Sequence, residues 1–358
     1  MLVGGEGTRL RPLTYTIPKP LLPIANRPFL ERQLAWLAAH GVDEVILSLG
    51  YLPDVFEAHY PEGRFGDLSL RYAVEHEPLG TAGAIRFAAS GATDRFVVCN
   101  GDVLTTLDLG ALVRFHDEHG ADASIHLTRV DNPAAFGAVE TGPDAEVLEF
   151  VEKPSPVDAT TDWINAGTYV LDPVVLDEIP SDAEVSIERE TFPAMLQRPG
   201  RLFAMTSDDY WRDIGTPVSY LAAHADVLAG ALGLPPVPGA VEHTPGVWVQ
   251  GEVDVGDAVL TPPLLLGAGV QLGSGAQIES SSIGPECVIE AAARVRGSVV
   301  LGGARLGARS ETLDSVVGPE AVLEPDVAVT EESVIGASAV VTAGVQMSAA
   351  RVHVPPRP

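Results

Sequence analysis

Apolar positions in the first 228 residues follow two periods. Short runs with strand character cover residues 42–49, 68–74, 96–99, 123–130 and 165–171, and 3.6-residue patterns between them predict helices over 28–40, 54–60, 83–89 and 109–119. Gly41 and Gly120 stand where the first and last of these helices should stop. Such alternation predicts an α/β layer with a mostly parallel sheet, whose ligands sit beyond the carboxyl ends of the strands. Only Met1, Leu2 and Val3 precede Gly4, very short for a first, central strand, so either the start lies upstream or that strand is clipped.

Residues 229–246 are rich in Pro and Gly, have neither period, and read as a linker. Over 247–358 aliphatic residues recur in steps of six, six and five: Leu266, Leu272, Ile278; Ile283, Ile289, Val295; Val300, Leu306, Thr312; Val317, Leu323, Val329. Coil starts at Leu266, Ile283, Val300, Val317 and Val334 are each 17 apart, which predicts a triangular parallel β-helix with one inward aliphatic per face. A β-helix has open ends and flat faces, so these coils should brace the protein and favour a homo-oligomer without doing chemistry.

At 358 residues the chain exceeds the ~250 to 300 at which one core stops growing, in keeping with two domains, 1–228 and 247–358. No long uncharged apolar run or signal-like start occurs, which predicts a cytoplasmic protein. The net charge of -27 argues against nucleic-acid or anionic-membrane partners. Cys99 and Cys287 are too few and too far apart for a thiolate metal site, and read as buried thiols. Of 22 basic residues only Lys19 and Lys153 are lysines. Either codon bias explains this, or those two points need a compact ammonium, as when a point charge meets phosphate.

Residues 4–12, GGEGTRLRP, follow an apolar strand, and glycines there let amides approach a phosphate, although the same loop could be a plain connection. Ten residues after Arg9 comes Pro18-Lys19-Pro20, with the rare lysine on a stiffened segment. Together these motifs resemble the sugar-nucleotide pyrophosphorylases, a nucleotidyltransferase family, and within it most the mannose-1-phosphate guanylyltransferases. The resemblance implies a Rossmann-like catalytic domain followed by a left-handed parallel β-helix. It continues at Glu77 to Ala84, Asn100-Gly101-Asp102, Phe136 to Val139, Phe150 to Pro154, Asn165 to Tyr169, Ser186 to Glu190 and Trp211 to Pro217.

By that resemblance Gly4, Gly5, Gly7, Thr8, Arg9 and Lys19 hold the triphosphate, Gly80 and Thr81 lie along the nucleoside, and Gly137, Glu152, Lys153 and Asn165 take the sugar phosphate. Asp102 and Asp213 occupy the positions of the Mg²⁺ ligands, and Arg9, Lys19 and Asp102 carry catalysis. Read without the family, Asp102 could be a turn residue, Glu152 with Lys153 a surface ion pair, and Arg11 and Arg189 phosphate contacts or structural pairs. The implied reaction joins a nucleoside triphosphate to a sugar 1-phosphate with loss of pyrophosphate, GTP and mannose 1-phosphate before UTP, dTTP or ATP with glucose 1-phosphate. Two readings stand outside that chemistry. A hexapeptide acyltransferase would want a coil histidine, and residues 247–345 hold none; a non-catalytic regulatory subunit would not need Arg9, Lys19, Asp102, Lys153 and Asp213 all intact.

Overall fold

The computed structural model describes residues 1–155, 160–181, 183–198 and 200–353, so the end of the expected 247–358 segment lies outside the described residues. The chain forms two compact units, Met1–Gly5 with Glu31–Trp211 and Glu6–Leu30 with Arg212–Pro358. In chain order the change of pattern falls at 229–246, whereas in packing the segment with Gly7, Thr8, Arg9 and Lys19 goes with the coils.

In the first unit Leu2 bridges in parallel to both Ser48 and Asn100, and Glu44–Leu49 runs parallel to Leu68–Val74. The sheet is parallel there and between Ala123–Arg129 and Leu202–Thr206. One long strand, Trp163–Leu171, runs antiparallel to both Phe96–Cys99 and Ala123–Arg129, so the sheet is more mixed than the run pattern predicts. The antiparallel hairpin of Gly137–Thr141 with Val147–Glu152 precedes it in the chain. Leu109–His119 starts where Asp108 accepts the Ala111 N–H at 3.0 Å and stops at left-handed Gly120. Ile125, Leu127, Tyr169, Leu171 and Phe192 are fully buried in the core. Burial pushes the Cys99 and Cys287 thiols up to about 11, which suits inert structural cysteines.

His126 is wholly buried, with Nε2 2.8 Å from the Ser207 hydroxyl. Burial pushes its imidazole down to about 4, against a weaker opposing pull from Asp209. Unfolded, the ring titrates near 6.5, so between pH 6.5 and 4 the unfolded chain binds the extra proton. The contribution of neutral His126 to stability is complete above pH 6.5 and falls by about 3 kcal/mol as the pH drops to 4. Urea midpoints measured from pH 7.5 to 4.5 should fall more steeply for the parent than for His126→Asn.

The second unit holds a parallel β-helix of about six turns. Ile283, Val300 and Val317 stack in register, as do Ile289, Leu306 and Leu323, all buried in one aliphatic core. The next coil starts at Ile335 and not at Val334, because Val317 pairs with Ile335 and Val316 with Val334. One residue has been added at the corner, where Glu331 and Glu332 both take positive φ; the preceding coils use a single such residue, Ser280, Gly297 or Asp314. Beside that corner Ser281, Ser298, Ser315 and Ser333 form a buried ladder. The Ser281 and Ser298 hydroxyls each accept the amide N–H of the serine one coil on, both at 3.1 Å, and Ser333 accepts that of Ala350 at 2.9 Å.

Thr312 stands in an aliphatic column between Val295 and Val329, fully buried, with no partner for its hydroxyl. Thr312→Val keeps the shape and removes that hydroxyl, so it should raise stability by about 1 kcal/mol, read as an upward shift of the unfolding midpoint. The outward-facing Leu265, Val299, Val316 and Val334 are buried too, so one face of the coils is covered. Part of the cover is the helix Pro217–Leu228, started by a Thr216–Ser219 capping box. A cleft of about 330 Å³ lies between its Val218, Leu221 and Leu228 and the coil residues Ser282 and Val299.

Candidate active site

Within the first unit, Asn100, Gly101 and Asp102 leave the end of a sheet strand in a tight turn. The Gly101 N–H donates to Leu2 O at 2.8 Å, and a Cβ on Gly101 would lie 2.4 Å from Val3 Cγ1, so no side chain fits there. The buried Gln33 amide donates to Asn100 O and Val103 O, both at 2.9 Å, fixing the turn from the helix side. Asp102 is half-buried.

Gly137, Glu152 and Lys153 come together across the hairpin. A Cβ on Gly137 would stand 2.9 Å from Glu152 Oε2 and from the Phe150 ring, so the glycine makes room for the carboxylate. Burial raises the Glu152 carboxyl, an effect opposed by Lys153, whose ammonium is 3.5 Å away, and reinforced by Glu188. Lys153 takes φ 52°, rare for a lysine, and its N–H donates to Phe136 O at 2.9 Å; its side chain is mostly exposed. Asn165 points inward: Oδ1 accepts the Gly167 N–H at 2.9 Å and Nδ2 donates to the Tyr169 hydroxyl at 2.8 Å. Burial, and then Glu188, Glu152 and Asp102, hold the Tyr169 phenol protonated well above its usual range.

Glu188 is the residue the sequence left without a role. It lies in a single π-helical turn, Ile187–Thr191, of the kind often found at functional sites, and its carboxylate accepts the Thr81 and Ser186 hydroxyls at 2.7 and 2.8 Å. Thr81 also accepts the Ile187 N–H at 2.9 Å, so its hydroxyl ties the start of the Gly80–Ala88 helix to that turn. Gly80 takes φ 69° with Val185 O 2.5 Å from where a Cβ would be. The only signal of Glu188 in the sequence is its place in the motif Ser186 to Glu190.

The glycine loop passes from the first unit to the second after Gly5. A Cβ on Gly4 would meet Gly50 N at 2.9 Å, while Gly5, Thr8 and Arg9 are exposed. Gly7, at φ 60°, opens the short turn Thr8–Leu10, and a Cβ on it would press on Thr14 and on Lys19 Cβ at 3.0 and 3.1 Å. Arg11 is paired with Glu6 at 2.6 Å, the structural reading of that residue. Arg9 and Asp213 meet over Gly215: Arg9 Nη2 and Asp213 Oδ2 are each 2.7 Å from the point a Cβ would occupy. Both obstacles are ends of flexible side chains, so Gly215→Ala should fold with a melting temperature near the parent's yet lose at least tenfold in kcat/KM.

Among the described residues no three His, Cys, Asp or Glu side chains form a ligand cluster, so a cage made wholly of protein groups is not present there. Single carboxylates such as Asp102 and Asp213 are hard oxygen donors. Either carboxylate by its chemistry suits Mg²⁺, which keeps water and substrate phosphates as its other ligands. No helix among the described residues is long and apolar enough to cross a membrane.

A layered α/β unit and a parallel β-helix, in a chain that carries a glycine loop and two lysine motifs, are the marks of a sugar-nucleotide transferase class. Residues 1–230 match the nucleotidyl transferase family, and the chain belongs to it. Residues 247–357 match the GMPPB C-terminal domain. The mannose-1-phosphate guanylyltransferase of Mycobacterium tuberculosis is 41% identical over 304 residues, 84% of this chain and 82% of that protein. A catalytic subunit beta of the same description from Xenopus tropicalis is 42% identical over 62% of each chain. Among solved structures, HddC from Yersinia pseudotuberculosis in complex with GMP-PN aligns with a TM-score of 0.53 and 32% identity, covering 62% of this chain and 96% of that one.

Proposed function

We propose that this nucleotidyltransferase joins GTP and mannose 1-phosphate to give GDP-mannose and pyrophosphate. The observation that carries the reading is the 41% identity with the M. tuberculosis enzyme, which spans both the transferase region and the coils. An oxygen of the sugar phosphate attacks the α-phosphorus of GTP, and the bond from that phosphorus to the β-phosphate oxygen breaks. The attacking group is already an anion, so the protein has to align two charged substrates and needs no nucleophile of its own.

In this reading the amides of residues 4–8 with Arg9 and Lys19 hold the triphosphate, and the exposed Lys153 meets the sugar phosphate beside Glu152, which accepts sugar hydroxyls. Gly80 shapes the nucleoside side; Thr81 and Asn165 serve by holding Glu188, Gly167 and Tyr169 in place. Asp102 and Asp213 each offer an oxygen to Mg²⁺, whose charge when bound offsets that of the phosphates. The coil faces, where Val259 and Val340 are exposed, support assembly into a homo-oligomer.

A second reading, dTTP with glucose 1-phosphate, draws on the fold shared with a Bacillus anthracis protein described as a glucose-1-phosphate thymidylyltransferase, at a TM-score of 0.57 and 28% identity. Pyrophosphate release across a panel of triphosphates and sugar 1-phosphates separates the two. The pair GTP and mannose 1-phosphate should give the highest kcat/KM, and a higher value for dTTP with glucose 1-phosphate would replace the first reading by the second.

A further inference from the structure

Lys19 opens a short turn, Lys19–Leu21, closed by the Leu21 N–H on Pro18 O at 2.8 Å and the Leu22 N–H on Lys19 O at 3.1 Å. The chain then makes a two-strand hairpin, Pro23–Ile24 against Arg27–Pro28, reversing at Ala25 and Asn26 with φ of 45° and 60°. This hairpin is gripped from two directions within the second unit. From the helix Pro217–Leu228, the Tyr220 hydroxyl donates to Pro23 O at 2.5 Å, and the Ala25 N–H donates to His224 Nδ1 at 3.2 Å. Since Nδ1 accepts, His224 carries its hydrogen on Nε2 and donates it to Pro23 O at 3.0 Å.

Toward the coils the hairpin reaches with the Asn26 side chain. The Asn26 carboxamide nitrogen donates to Gln250 Oε1 at 3.0 Å and to Ile283 O at 2.9 Å. Ile283 O also accepts the Gly267 N–H at 2.8 Å, so this acceptor is fixed in the coil ladder. Position 26 therefore asks for a left-handed backbone and two donors on a short stem. Asparagine meets both demands; glycine meets only the first, and aspartate would set a carboxylate against two acceptors.

We propose that Asn26 is a positioning residue: by tying the hairpin to Gln250 and Ile283 it fixes where Lys19 stands, so the coils help set the affinity for the triphosphate. The proposal rests on the assignment of Lys19 to the triphosphate given above. Its test is a double-mutant cycle in the full chain, with steady-state kinetics on GTP and mannose 1-phosphate. Asn26→Gly keeps the backbone and should raise the KM for GTP about tenfold while leaving that for mannose 1-phosphate within twofold. In a Lys19→Ala background the same change should add less than twofold, because a residue that acts through Lys19 has nothing left to position. Gln250→Met removes one acceptor and should give a smaller rise, about threefold, in the same constant.

Additive effects in the cycle, an unchanged KM for GTP, or equal rises in both constants together with a lower melting temperature would overturn the proposal. If Asn26→Gly does not fold, Gln250→Met decides by the same criteria. Turnover by the parent of some other pair would instead overturn the substrate reading, and the cycle is then run with that triphosphate, since it tests the lysine and not the base.

Discussion

Removing the coils from Gly239 onward should lower nucleotidyl transfer at least 100-fold, and not merely shrink the assembly. From the periodicity alone the coils are a brace, and a protein without them should keep detectable turnover. The packing predicts a far larger loss than a brace alone would cause. Glu6–Leu30, with Arg9 and Lys19, shares one compact unit with the coils, and Asn26 is bonded directly to Gln250 and Ile283. Misplacing a substrate-positioning group by about 1 Å can cost about 100-fold in rate, which sets the scale of the effect. The truncated protein would be compared with the parent by initial rates at saturating substrates and by circular dichroism. A folded truncated protein with rates near the parent's would show that the loop keeps its place without the coils.

Asp102→Asn should abolish measurable turnover, a loss of 1,000-fold or more, while the melting temperature stays within about 2 °C of the parent's. The turn that carries Asp102 is held by Gly101 on Leu2 and by Gln33 on Asn100 O and Val103 O, bonds that the substitution leaves intact. What it removes is the negative charge of the carboxylate proposed as a hard oxygen donor to Mg²⁺. Rates in excess chelator should fall with it. Full activity of Asp102→Asn would take this carboxylate out of the mechanism, and full activity of the parent in chelator would take out the metal.

Where local chemistry fixes an element, the chain could be read to the residue. Leu109–His119 carries both its Asp108 cap and its Gly120 stop, and the strands Leu68–Val74 and Phe96–Cys99 are bounded by polar turns. The helix Pro217–Leu228 had no such clarity. Its Tyr220, Ala223, His224 and Val227 are buried, and Val218, Leu221 and Leu228 line the cleft against the coils, so apolar residues occur all round and no amphipathic period stands out. The coil phase failed at one point for a related reason. Val334 and Ile335 are adjacent and equally aliphatic, and a 17-residue period cannot see the residue added at Glu331 and Glu332.

The candidate site divides along the same line. Motif residues that meet through neighbouring backbone, such as Gly137 with Glu152 and Lys153, were recoverable from the resemblance. The bonds from Thr81 to Glu188 and from Asn26 to Ile283 join residues 107 and 257 positions apart. No local pattern records such pairs, because each carboxylate or amide looks like an ordinary surface residue until the fold brings its partner near.

The most direct measurement of the whole account is to follow the sugar phosphate itself. The full chain would be incubated with GTP, Mg²⁺ and mannose 1-phosphate bearing ¹⁸O at every non-ester phosphate oxygen, and the products weighed by mass spectrometry. Attack by the sugar phosphate on the α-phosphorus predicts GDP-mannose that retains the full label and pyrophosphate that carries none. No labelled GDP-mannose, or label in the pyrophosphate, would contradict it.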